Sequence, residues 1–101
     1  MRSRLELQKL LEDILGSRNV YFQPPESIKI KYPCIIYERS DESVEYADNV
    51  KYRKHKLYSI TIIDKDPDSE FPDKIEDIEY CEFERSFAND NLNHFVYRLY
   101  Y

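Results

Sequence analysis

The chain has 101 residues, 42% of them hydrophobic and 35% charged, with a formal net charge of −5. This length predicts one domain, residues 1–101, with a core one or two layers deep. The acidic balance disfavours a nucleic-acid-binding surface, because Lys and Arg supply most phosphate contacts. A single glycine excludes the glycine-rich phosphate loops of Walker and Rossmann sites.

Cysteine and histidine are too scattered to predict a metal site. Cys34 and Cys81 lie in separate apolar runs without CxxC spacing, and His55 and His94 add only two further ligands. With no signal peptide or 18-residue apolar run, we expect a soluble cytoplasmic protein with reduced thiols, no cofactor and no membrane contact.

A helix is predicted to begin at the capping box Ser3-Arg4-Leu5-Glu6, in which the Ser hydroxyl and the Glu carboxylate satisfy exposed amide groups. Gly16 supplies a left-handed stop. The apolar residues between them recur at three- and four-residue spacing and form one stripe, which consists of Leu7, Leu10, Leu11, Ile14 and Leu15.

The next segments alternate between extended structure and breaks. Residues 20–25 read as an extended connector, because Pro24 and Pro25 remove ladder donors. Residues 28–32 predict a brief edge strand, and residues 34–39 predict a more apolar strand. Residues 40–48 are polar and acidic, which indicates a loop.

Residues 50–63 predict one long strand whose first half is charged and whose second half is apolar. Tyr58, Ile60 and Ile62 fall on one face of it. This division favours a hairpin whose far end projects from the core and docks against a neighbour. The alternative is an ordinary exposed hairpin tip, with charges that are paired or solvated.

The acidic turn after that strand imitates a calcium loop but lacks its key residues. Asp64, Asp66 and Asp68 take the first, third and fifth positions of an EF-hand pattern. Ser69 stands where the sharp turn needs glycine, and Ile75 stands where the bidentate Glu belongs. We therefore predict no metal at this turn.

A second short helix and two strands are predicted to follow. Ser69 can cap the helix, and Pro72 is tolerated in its first turn. Phe71, Ile75 and Ile78 are expected to face the sheet. In the first strand, Cys81, Phe83 and Phe87 alternate with Glu82, Glu84 and Ser86; after the turn at Asn89-Asp90-Asn91, the second strand alternates Phe95, Tyr97, Leu99 and Tyr101 with His94, Val96, Arg98 and Tyr100.

These elements predict an α+β domain in which an antiparallel or mixed sheet of about four strands carries two helices on one face, in the order α-β-β-α-β-β. A Cys81 and His94 nucleophile pair is disfavoured, since nothing visibly orients the imidazole. With 20 Asp and Glu residues, close carboxylates carry no information about catalysis. We expect a protein without enzymatic activity.

Four parts of the chain together resemble the tail terminator, or tail-completion, proteins of long-tailed bacteriophages. The resemblance covers nearly the full length, but its motifs are structural and carry no catalytic signature. They are the short N-terminal helix, Tyr32-Pro33-Cys34-Ile35-Ile36-Tyr37-Glu38-Arg39, Tyr58-Ser59-Ile60-Thr61-Ile62-Ile63-Asp64-Lys65-Asp66-Pro67-Asp68 and Asn91-Leu92-Asn93-His94-Phe95-Val96-Tyr97.

The resemblance implies a structural virion protein that forms a homo-oligomeric ring, commonly of six subunits, on the head-proximal end of the viral tail tube. Such a ring ends tube polymerisation and forms the junction with the head connector. Its partners would be the tail tube protein and a connector or neck protein, and it would be assembled in the host cytoplasm. DNA would pass through the lumen without specific binding, because an acidic lumen repels phosphates.

A closed ring with head-to-tail contacts requires two different complementary patches on each subunit. The candidates are the charged hairpin from Arg39 to Lys56 and the Tyr-rich end, which consists of Tyr97, Tyr100 and Tyr101. The predicted subunit-contact residues are Arg39, Asp41, Glu42, Glu45, Asp48, Lys51, Arg53, Lys54, Lys56, Tyr97, Tyr100 and Tyr101.

Three alternatives remain open. One is a connector-side neck protein for head-tail joining in the same particle, and another is a small monomeric protein-binding module that uses its aromatic surface. The last and least favoured is a hydrolase or nuclease that uses the carboxylates of residues 64–70 with a divalent metal.

Overall fold

The computed structural model describes residues 3–40 and 56–101 and contains two helices and five strands in that part of the chain. This is the predicted α+β class with a mixed sheet. The elements are α1 (Arg4–Leu15), β1 (Val20–Phe22), β2 (Cys34–Arg39), β3 (Leu57–Asp64), α2 (Phe71–Glu76), β4 (Cys81–Asn89) and β5 (Leu92–Tyr100).

Ser3 is the N-cap and Gly16 the C-cap of α1, as the sequence predicts. The Ser3 hydroxyl accepts a hydrogen bond from the Glu6 backbone N–H at 3.1 Å. At the other end, Gly16 adopts a left-handed conformation with φ of 76°, and its N–H donates to the Glu12 carbonyl oxygen. At each end of the helix a backbone N–H therefore has a hydrogen-bond acceptor.

The strands form one sheet in the order β1-β2-β3-β5-β4. Only β1 and β2 are parallel; the other neighbours are antiparallel. The central strands follow the predicted alternation, since Ile60 lies opposite both Tyr37 and Tyr97 and shares a face with them. This order places β1 at one edge of the sheet and β4 at the other.

Both helices cover the same face of this sheet. Leu7, Leu11 and Leu15 of α1 are buried, and Ile75 of α2 joins them in one cluster. The strands contribute a large apolar layer to that cluster, made of Val20, Ile35, Tyr37, Tyr58, Ile60, Ile62, Tyr97 and Leu99. Burial of this layer is the main favourable term for the fold.

The segment between α1 and β2 corrects two predictions. Residues 20–22, expected in a connector, form β1, and Ile35 N–H donates to the Asn19 carbonyl oxygen at 2.9 Å. Residues 28–32, expected as an edge strand, are not a strand. The parallel pairing joins segments fifteen positions apart (Val20 with Ile35), and local alternation carries no signal for such a contact.

Two smaller corrections concern α2 and β4. Glu70, not Ser69, is the N-cap of α2, and the Ser69 hydroxyl instead accepts from the Phe71 N–H at 3.4 Å. In β4 a bulge lies between Phe83 and Arg85. Because the bulge adds one residue to the strand, Phe83 and Phe87 lie on opposite faces, not on one.

Candidate interaction surface

Most of the segment that was predicted to form the charged hairpin lies outside the described residues. Arg39 is exposed at the end of β2, and its guanidinium carbon is 5.6 Å from the centroid of the Tyr58 ring. Lys56 precedes β3 and is half-buried. The contact residues outside the described part of the chain are Asp41, Glu42, Glu45, Asp48, Lys51, Arg53 and Lys54.

The three tyrosines predicted to meet a neighbour are buried within their own chain. Tyr97 is 2% exposed, and Tyr100 and Tyr101 are each 4% exposed. The N–H of Tyr101 donates to the Lys56 carbonyl oxygen at 2.8 Å. Burial raises the pKa of Tyr97, and Glu76 raises it further. These rings therefore pack as core side chains and leave little surface for a neighbour.

The acidic turn is closed by its own hydrogen bonds. An Asp64 carboxylate oxygen accepts from the Asp66 N–H at 3.1 Å, and an Asp66 carboxylate oxygen accepts from the Asp68 N–H at 2.9 Å. The Asn93 amide donates to the Asp64 carbonyl oxygen at 3.2 Å. Within residues 3–40 and 56–101, no group of three His, Cys, Asp or Glu side chains has the geometry to hold a metal ion.

Cys81 and His94 are not brought together. Cys81 lies opposite Leu99, whereas His94 lies opposite Phe87 and stacks on its ring at 4.6 Å. The pKa of the Cys81 thiol is raised to about 12, first by burial and then by Glu76 and Glu82. The thiol is therefore protonated at neutral pH and a poor nucleophile.

The most exposed regular element of the described chain is β4. Eight of its nine residues are exposed, and among the described strands it pairs only with β5. Phe83 is 52% exposed and Phe87 is 44% exposed, although each contacts a β5 ring. An edge strand of this length presents a row of backbone donors and acceptors to another chain.

The opposite edge of the sheet is protected. β1 has three residues, and the Gln8 side-chain amide of α1 donates to the Val20 carbonyl oxygen at 3.0 Å. Since Asn19 bonds to β2, the alternation of the chain points the Val20 backbone away from the sheet. α1 thus occupies an acceptor that a further strand would use.

Sequence reasoning did not identify β4 as the exposed edge strand of the described sheet. It placed an edge strand at residues 28–32 and divided β4 into an apolar and an acidic face. The available signal was the pair of opposite charges Glu84 and Arg85, which interrupts the alternation where the bulge occurs.

No family model matches this chain, and neither a curated protein nor a solved structure does. Neither of the two helices in the described residues has the length and apolar content needed to cross a membrane.

Proposed function

We propose that this protein is a structural subunit that assembles into a ring on the head-proximal end of a bacteriophage tail tube, ending tube growth and joining the tail to the head connector. The observation that carries the proposal beyond the sequence resemblance is the open β4 edge. A subunit that works by fitting beside other chains needs such a surface.

The two sheet edges differ in a way that suits ordered assembly. The β1 edge is short and occupied by Gln8, whereas the β4 edge is long and exposed. Uncontrolled addition of strands at both edges would give open polymers, while one available edge limits growth. This asymmetry argues against a fibre that grows by strand addition at both sheet edges.

The charged hairpin supplies the second candidate patch of the ring. Arg39 at the end of β2 is exposed, and the sequence that follows it contains residues of both signs. Opposite charges on two patches give partner choice and register in head-to-tail contacts. The acidic net charge of −5 also suits a lumen through which DNA passes without binding.

The first test is the assembly state of the purified chain. Native mass spectrometry and negative-stain images are expected to show rings, commonly of six copies. Arg39→Glu should disrupt them, whereas Arg39→Lys, which keeps the positive charge, should preserve them. Monomers at high concentration would contradict the proposal and favour a monomeric binding module.

The second test locates the chain in the virion. An image of a particle labelled on this protein is expected to show it between the tail tube and the connector. A position on the connector side would instead identify a head-tail joining neck protein. Stoichiometric binding of calcium, magnesium or manganese in calorimetry would revive the metal-dependent hydrolase.

A further inference from the structure

We propose that β4 is a self-complementary edge, at which two copies of this chain pair antiparallel across a two-fold axis between Glu84 and Arg85. The contact would extend the sheet of one copy into that of the other. It differs from the ring contact, in which β4 of one subunit would meet a different patch of its neighbour head to tail; here β4 meets β4 across a two-fold axis.

The first step is to establish which backbone groups of β4 point outward. The Tyr80 carbonyl oxygen accepts from the Tyr100 N–H at 3.2 Å, so the Tyr80 backbone faces β5. Alternation along an antiparallel ladder then turns the backbones of Cys81 and Phe83 away from β5. The Cys81 N–H already donates to the Ile78 carbonyl oxygen at 3.3 Å, so a second chain can use the carbonyl oxygen of Cys81 and both backbone groups of Phe83.

The same reasoning applies beyond the bulge. The two-residue turn at Asp90 and Asn91 makes Asn89 and Leu92 a hydrogen-bonded pair. The backbone of Asn89 therefore faces β5, and alternation turns those of Ala88 and Ser86 outward.

The outward residues are thus 81, 83, 86 and 88, separated by two, three and two positions along the chain. A regular strand presents outward backbone groups at every second residue. It can therefore pair with residues 81 and 83 or with residues 86 and 88, but not with both sets. The two-three-two spacing reads the same in both directions. A second β4 that runs antiparallel therefore matches this spacing: 83 lies opposite 86 and can exchange both backbone bonds, and 81 lies opposite 88 and contributes its carbonyl oxygen.

Charge supplies an independent argument for the same register. Arg85 Nε lies 3.8 Å from Glu84 Oε2, and the two side chains are 67% and 35% exposed respectively. Both line one surface groove with Glu38, Ser59 and Arg98. In the proposed pairing, Glu84 of each copy lies opposite Arg85 of the other.

These features explain why the edge is selective. Bulges and charged side chains commonly protect edge strands from pairing with other chains. Here the bulge gives the outward backbone groups a spacing that a regular strand does not have. The charges of Glu84 and Arg85 disfavour a strand that does not place opposite charges across from them. A strand fits this edge when its bulge matches the spacing of the outward groups and its charges face Glu84 and Arg85 with opposite sign. A second β4 meets both conditions, because the antiparallel direction places its Arg85 opposite Glu84 and its Glu84 opposite Arg85.

The test is a charge swap, read by sedimentation equilibrium. Glu84→Arg and Arg85→Glu should each weaken dimerisation by about tenfold or more, because both symmetric cross-strand pairs become repulsive. The double swap Glu84→Arg with Arg85→Glu should restore the wild-type affinity. An equimolar mixture of the two single variants should form mixed dimers.

Two further variants separate the backbone from general charge effects. Ser86→Pro should abolish the dimer, because it removes an outward N–H while leaving the β5 pairing intact. Lys74→Glu is the matched charge control; this exposed side chain on α2 pairs with Glu70 at 3.6 Å, and its reversal should leave dimerisation unchanged.

The outcomes distinguish this inference from the proposed function. Dimers that form equally well with Glu84→Arg would overturn the β4 self-contact and leave the ring proposal intact. Dimers that obey the swap, without rings, would support the contact and contradict the ring. A double swap as weak as the single variants would refute the pairing register.

Discussion

At the scale of single residues, one tyrosine hydroxyl joins the helix layer to the sheet. The Tyr37 hydroxyl donates to Gln8 Oε1 at 2.6 Å, and Arg4 donates to it at 3.4 Å. The Tyr37 ring itself is fully buried and lies 4.9 Å from the Phe22 ring. A polar group at this depth is tolerated because its hydrogen bonds are satisfied.

Replacing Tyr37 by Phe tests this connection. The change keeps the ring but leaves Gln8 Oε1 without its donor, so we expect a loss of about 1 to 2 kcal/mol in the free energy of unfolding. Urea denaturation measures it. Tyr32→Phe, at a tyrosine that is 37% exposed, is the control and should change stability by less than about 0.5 kcal/mol. Equal effects would show that the Tyr37 hydroxyl makes no net contribution.

The two thiols make stability sensitive to alkaline pH. Burial, with a smaller effect from Asp64, raises the pKa of Cys34 from 9.0 to about 12, and burial likewise raises that of Cys81 to about 12. Between pH 9 and pH 12 the thiols of the unfolded chain lose protons that the thiols of the folded chain retain. Stability is therefore expected to hold below pH 9 and to fall as the pH rises from 9 to 12.

Thiol reactivity directly measures the burial that raises these pKa values. At pH 8, Ellman's reagent should modify Cys34 slowly in the native protein, whereas both cysteines should react at once in urea. Rapid reaction of Cys34 in the folded chain would contradict its complete burial.

At the scale of elements, the features readable from sequence were those with local causes. The Ser3 and Gly16 caps of α1 and the alternation of β5 depend on residues a few positions apart, and the structure confirms them. The pairing of β1 with β2 and the bulge in β4 depend on distant segments. A single extra residue reverses strand parity, and the adjacent charges Glu84 and Arg85 mark the place without showing that a residue is extra.

The hairpin turn between β4 and β5 also allows a prediction. Asp90 and Asn91 both have positive φ, 52° and 63°, which the twist of a two-residue hairpin favours. Asn91→Gly should stabilise the protein by about 0.5 to 1 kcal/mol, because glycine adopts this conformation without strain. Asn91→Ala should destabilise it by about 1 kcal/mol. Thermal and urea unfolding measure both changes, and the same sign for both would argue against a strained turn.

At the scale of the whole molecule, the interaction surface was less predictable than the fold. The tyrosines predicted as subunit contacts pack instead against their own sheet, since Tyr97 and Tyr101 belong to the core cluster. Composition shows how many aromatic residues a chain has, whereas strand order determines which of them remain at the surface. Here that order places β4 at the open edge and exposes Phe83 and Phe87.

The helices cover one face of the sheet, and two leucines of α1 can test how much this layer contributes to stability. Leu11 is 0% exposed within the core cluster, whereas Leu5, on the same helix, is 67% exposed. Leu11→Ala should cost about 2 to 5 kcal/mol, through lost burial and the cavity it leaves. Leu5→Ala removes the same atoms from a solvated site and should cost less than about 0.5 kcal/mol in the free energy of unfolding measured in urea. Comparable losses at the two positions would mean that α1 does not seal this face of the sheet.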